Sequence, residues 1–113
     1  MKKFPEFMTG AAHRVADPPD PSVQGFVFHG RKDMQVVFWQ CDNGGEQPEQ
    51  VHDFWEYALV VEGTFEGEVG GRRVSLKAGD ECVIPPGTRH SGRYSKGYRA
   101  IDIFSARRVN VAE

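Results

Sequence analysis

Apolar and polar residues alternate in short runs along most of this chain. Val23 to His29 and Met34 to Cys41 are rich in Val, Phe and Trp, and the polar Gly30-Arg31-Lys32-Asp33 between them predicts a hairpin. Asp42 to Glu49 reads as a Gly/Pro/Asn loop. Further strands are predicted at Thr64–Val69, Arg72–Leu76, Glu81–Ile84, Arg89–Tyr94 and Tyr98–Phe104. They are separated by Gly70-Gly71, Lys77-Ala78-Gly79-Asp80, Pro85-Pro86-Gly87 and Ser95-Lys96-Gly97. Strands this short and this regularly spaced predict an all-β sandwich or barrel, with no helical domain and no internal repeat.

Residues 50–61 carry two periods at once. Val51, Phe54, Trp55, Ala58 and Leu59 recur at helical spacing, which would make His52 and Glu56 an i, i+4 pair. Trp, Tyr and paired valines in Trp55 to Val61, with β punctuation on both sides, favour a strand. In that strand Gln50, His52, Phe54, Glu56, Ala58 and Val60 share one face, and Val51, Trp55, Tyr57, Leu59 and Val61 share the other. The second face is apolar enough to need a cover, which the second sheet, the N-terminal segment or a two-fold partner could supply, and the expectation is a homodimer.

Composition narrows the functional classes. At 113 residues with 39% apolar side chains, the chain can bury one modest core. Residues 1–21, with Pro5, Pro18, Pro19 and Pro21, are expected to form an N-terminal arm, and residues 22–113 the single β domain. A net charge of −2 offers no basis for nucleic acid or an anionic membrane as partner. No apolar run is long enough to span a bilayer, and Met1-Lys2-Lys3-Phe4-Pro5-Glu6 lacks the apolar stretch of a secretory signal, so the expected location is cytoplasmic. Cys41 and Cys82 are then expected to be reduced, strand-borne residues outside any site. The Arg72-Arg73 and Arg107-Arg108 pairs read as solvated ends, and His13 and His29 as packing or surface histidines.

The candidate chemistry lies in a two-part pattern, Gly44-x5-Gln50-x-His52-x3-Glu56-x6-Gly63 followed by Gly79-x5-Pro85-x-Gly87-x2-His90. Two imidazoles and one carboxylate are the donor set that leaves coordination positions open on iron and related ions. A Glu56 buried inside a barrel without a cation or donor would cost on the order of several kcal/mol, and a metal offsets that cost. The pattern resembles the cupin superfamily of small jelly-roll β-barrels over about residues 44 to 104. The resemblance implies a single-domain cupin barrel with His52, Glu56 and His90 as metal ligands. Gln50 stands where the family has another histidine and is expected as a fourth metal-site residue, offering only a weak neutral amide oxygen, so that binding would be weaker or more selective than in a three-histidine cupin. Tyr94 replaces the asparagine that usually ends the second motif. The implied cofactor is a divalent ion, Fe, Mn, Ni or Zn.

Two finer resemblances bear on function. His52-Asp53-Phe54-Trp55-Glu56 with Val60-Val61-Glu62-Gly63 resembles the sugar-sensing domain of arabinose-type regulators, yet no helix-turn-helix pattern accompanies it. Ile101-Asp102-Ile103-Phe104-Ser105-Ala106-Arg107-Arg108 resembles the end of pectin-degradation-type cupins, which process unsaturated uronates, and departs from them at Ala106. The expectation is a metal-binding cupin that takes a small polar metabolite, with a sugar-derived acid as the substrate class. Isomerase- or lyase-like Lewis-acid chemistry, an Fe(II) dioxygenase and a non-catalytic sensor all fit this donor set. Asp102 is a candidate to support an imidazole ligand, against its ordinary role as a surface or turn residue.

Overall fold

Nine strands make two antiparallel sheets in the computed structural model, which describes residues 1–18 and 21–112. They are β1 (Gln24–His29), β2 (Gln35–Cys41), β3 (Gly45–Gln50), β4 (Glu56–Glu62), β5 (Thr64–Val69), β6 (Arg72–Lys77), β7 (Glu81–Ile84), β8 (His90–Tyr94) and β9 (Tyr98–Phe104). The first sheet has the order β1-β2-β9-β4-β7 and the second β3-β8-β5-β6. The architecture is an all-β jelly-roll barrel. No helix among the described residues is long and apolar enough to cross a membrane.

Period-2 patterning decides which side chains enter the barrel. Along β9, Tyr98, Ala100, Asp102 and Phe104 are buried while Arg99, Ile101 and Ile103 are half-buried on the outer face. On β2 the inward set is Gln35, Val37, Trp39 and Cys41. Of these, Val37, Trp39, Cys41, Tyr98, Ala100 and Phe104 meet Val27, Val60 and Phe65 in one core cluster. The β5–β6 hairpin closes through Gly70 and Gly71 at φ +59° and +80°, the doubly left-handed turn that suits the strand twist and that side chains other than Gly, Asn and Asp resist.

Two expectations are corrected. The stretch read as a loop from Asp42 to Glu49 contains β3, a polar edge strand paired to β8 and carrying a bulge between Gln47 and Gln50. Its Pro48 is tolerated because an edge strand has an unpaired side. The strand expected from Gln50 through Val61 is instead broken: residues 51–55 are irregular, and β4 begins at Glu56. The break is held by hydrogen bonds from Gly87 N–H to His52 O (2.7 Å), Ser105 N–H to Trp55 O (3.0 Å) and Trp55 N–H to Ser105 Oγ (2.9 Å). Tyr57, Leu59 and Val61 still face outward and half-buried, and Trp55 and Val51 are exposed.

The N-terminal segment packs against the first sheet. Phe4 is buried edge-on against Phe38, His13 stacks on Phe28, and the Met1 ammonium donates to Val61 O at 2.6 Å. Isolated bridges join Arg14 to Phe26 and Val15 to Val111. Pro19, within the expected arm, and Glu113, the last residue of the expected barrel domain, lie outside the described residues.

Candidate metal centre

Three elements bring the donor trio together. His52 comes from the irregular segment before β4, Glu56 from the first position of β4, and His90 from the first position of β8 on the opposite sheet. His52 Nε2 and His90 Nε2 each lie 3.7 Å from Glu56 Oε1, and one donor atom from each residue falls within 4.8 Å of the others. Donors bound to one ion at roughly 2.0–2.2 Å can be up to about 4.4 Å apart, so each 3.7 Å pair suits a shared cation.

The polar accounting points the same way. His52 Nε2, Glu56 Oε1 and His90 Nε2 are buried and lack a hydrogen-bond partner among the described residues. Buried polar atoms rarely stay unpaired, and three converging ones fit a cation. The tautomer of His90 is set by its other nitrogen. Nδ1 lies 3.0 Å from Thr88 O, and since a carbonyl only accepts, Nδ1 carries the proton and Nε2 presents its lone pair inward. Burial and the Arg108 charge hold the pKa of His52 below its usual value, against the pull of Glu56, so this imidazole is neutral at neutral pH. Its ring stacks on Phe54 at 4.7 Å.

Behind the trio is a carboxyl pair. Asp102 is buried, lines the cavity beside Glu56 and is hydrogen-bonded to Glu56 and to Trp39. Burial, and then the nearby Glu56 charge, raise its pKa well above the ordinary carboxylate range. The reading of Asp102 as a surface or turn residue is therefore corrected. Period-2 alternation had carried the signal, because it places Asp102 on the same face as Ala100 and Phe104.

Arg108 is the functional residue that sequence reasoning missed. Read as a solvated end, it has a side chain only 8% exposed, with Nη1 3.7 Å from Glu56 Oε1 and the guanidinium 4.8 Å over the Phe104 ring. Its Nη2 donates to Gln50 Oε1 at 2.6 Å, and Gln47 Nε2 donates to the same oxygen at 3.0 Å. Its backbone N–H donates to the wholly buried Gln35 at 2.8 Å. No local pattern announces this placement, which depends on a residue 73 positions earlier.

The cavity is small, about 50 Å³, and Glu56, His90, Asp102 and Arg108 are the acidic and basic side chains in its lining. Trp39, Phe65, Tyr94 and Tyr98 supply an aromatic wall. Cys82 also lines it, but burial pushes its thiol up, and both cysteines are free as expected. His13 and His29 stay outside the site, the one against Phe28 and the other at the sheet edge beside Gln35.

The Cupin_2 family model, described as a cupin domain, matches residues 37–103, more than half of the chain. The chain belongs to the cupin family. Among solved structures, this cupin is similar to KdgF from Halomonas sp. at 29% identity, covering 81% of this chain and 86% of that one with a TM-score of 0.72. It is also similar to an RmlC-like cupin from Shewanella frigidimarina at 26% identity, covering 92% and 93% with a TM-score of 0.73. The Schizosaccharomyces pombe Cnp3 cupin domain shares the fold at 13% identity, covering 80% and 69% with a TM-score of 0.68. No curated protein matches. Cupins commonly bind divalent metals, and this one has a His-Glu-His group able to hold such an ion.

Proposed function

We propose that this cupin holds a divalent metal on His52, Glu56 and His90 and acts on a small sugar-derived acid. The observation that carries the reading is the convergence of three buried, unpartnered donor atoms from opposite sheets. The likeness to KdgF supports it, as does a positive guanidinium beside the trio. A bound ion would supply Lewis acidity toward a carbonyl, hydroxyl or enol oxygen.

The chain's own groups divide the remaining work. Arg108 offers the charge that receives a carboxylate. Asp102, whose pKa burial and Glu56 raise above the ordinary carboxylate range, stands beside the site as the acid that would deliver a proton or take it back during isomerisation or elimination. Trp39, donating to Asp102, orients that carboxyl, and Phe65, Tyr94 and Tyr98 exclude water around the reacting atoms. A space of about 50 Å³ admits only the acid end of such a substrate. A second hollow, lined by Val51, His52, Phe54 and Pro86, lies on the His52 side of the trio.

Metal analysis of untagged protein tests the centre. Wild type is expected to retain a stoichiometric divalent ion, and His52→Ala and His90→Ala to lose it while keeping their folded signal by circular dichroism. Retention of metal by both variants removes the centre. A panel of unsaturated and saturated uronates, followed by NMR, tests the substrate class.

A further inference from the structure

Gln50 occupies the motif position at which a histidine ligand is expected, and its amide oxygen is already engaged. An sp² amide oxygen has two lone pairs, and Gln50 Oε1 accepts from Gln47 Nε2 at 3.0 Å and from Arg108 Nη2 at 2.6 Å. Arg108 is nearly buried, yet its contact with Glu56 Oε1 at 3.7 Å is too long for a hydrogen bond. The guanidinium is thus oriented by a neutral group, with its charge only partly offset, at the wall of the cavity. A carboxylate at position 50 would hold it as well but would neutralise it. An imidazole has a single acceptor nitrogen and could not satisfy both donors.

We infer that Gln50 is a positioning residue for Arg108 rather than a metal ligand, and that the pair forms a carboxylate subsite beside the His52–Glu56–His90 trio. The inference rests on the proposed centre for its setting and deepens it by naming the group recognised. It places the anionic end of the substrate next to the ion. It also leaves the ion with three protein ligands, so that more positions stay open to substrate oxygens than in a three-histidine cupin. Three anchors hold Arg108 in this arrangement: the Gln35 hydrogen bond to its backbone, the Phe104 ring beneath the guanidinium, and Gln50 at its tip.

The test uses Mn(II) as the metal and glycolate as a carboxylate small enough for the cavity. Mn(II) affinity is read from the free-ion EPR signal and glycolate affinity by calorimetry, on wild type, Gln50→Leu, Arg108→Leu, the double variant and His90→Ala. Gln50→Leu and Arg108→Leu are each expected to weaken glycolate about tenfold or more, the loss of a hydrogen bond to a charged group. The double variant is expected to lose little beyond either single one, since one residue acts through the other. Mn(II) affinity is expected to fall sharply only in His90→Ala. A fall in Gln50→Leu as large as in His90→Ala makes Gln50 a ligand and overturns the inference, as does unchanged glycolate affinity in Gln50→Leu.

Should Gln50→Leu fail to fold, Gln50→Glu decides. It keeps an acceptor for Arg108 and neutralises it, so glycolate binding should weaken while thermal stability holds, and undiminished binding refutes the subsite. Should wild type take up no Mn(II), the proposed centre fails separately. The glycolate comparison on metal-free protein then judges the subsite alone, by the same loss in the two single variants.

Discussion

At the scale of single residues, the chemistry depends on a few polar groups that burial has altered. Asp102 sits among Glu56, Trp39 and Arg108, and its raised pKa means that the folded chain holds a proton the unfolded chain releases. Stability contributed by that neutral carboxyl is therefore present at low pH and declines as pH rises above the unfolded value of about 4. Asp102→Asn, which keeps a neutral donor in the same place, is expected to flatten that decline as pH rises above about 4. Urea unfolding at several pH values measures it, and an unchanged slope contradicts the assignment. The trio was legible by motif, because His52, Glu56 and His90 fall at motif positions whose neighbouring glycines and prolines make turns, and the inward face of Asp102 was legible from alternation, though its partners were not. What Gln50 touches was not legible, since its partner Arg108 is 58 residues away.

Elements show where local pattern succeeds and where pairing overrides it. Seven expected strands recur within a residue or so, because Val, Phe, Trp and Tyr alternate in them and Gly-rich turns bound them. The polar β3 was not legible. Its sequence Gly45-Glu46-Gln47-Pro48-Glu49-Gln50 has no apolar period, and only the ladder with β8 makes it a strand. The segment after β9 likewise has no regular structure of its own. Gln35 holds it, accepting from the N–H groups of Arg108 at 2.8 Å and Val109 at 3.1 Å and donating to Val109 O at 2.8 Å. Gln35→Leu strands these groups in the core, and each unpaired one costs about 1–3 kcal/mol. We expect a loss of about 2–4 kcal/mol by chemical denaturation, allowing for some local relaxation, and a change under about 1 kcal/mol would show that the segment is held otherwise.

For the whole molecule, the outer face of the first sheet is the feature not yet accounted for. Val36, Ile103, Tyr57 and Val83 form a row across four strands, and Ile101 and Leu59 continue a second row from Phe38, which Phe4 covers. Trp55 and Val83 are 54% and 52% exposed at one end of this face. Contiguous apolar surface of this kind marks an interaction site, and a two-fold pair would bury the same residues from both copies. We propose that the protein is a homodimer through this face. Light scattering is expected to give twice the 12.7 kDa chain mass, and Trp55→Glu with Val83→Lys the mass of one chain. A wild type that runs at 12.7 kDa rejects the pairing.

The order of residues alone determined the strand alternation and the turns, since each rests on contacts between near neighbours or on backbone preferences a few residues long; it marked the donor positions by motif, and the fold brought His90 from the opposite sheet to His52 and Glu56. Tertiary structure decided which polar side chains are shut away from water together. Asp102 acquired its raised pKa only through burial and the nearness of Glu56 on the neighbouring strand, and Arg108 became an anion-ready charge only because Gln35 and Gln50 hold it. Such roles arise from desolvation and from partners distant in the chain, and neither is written in local sequence.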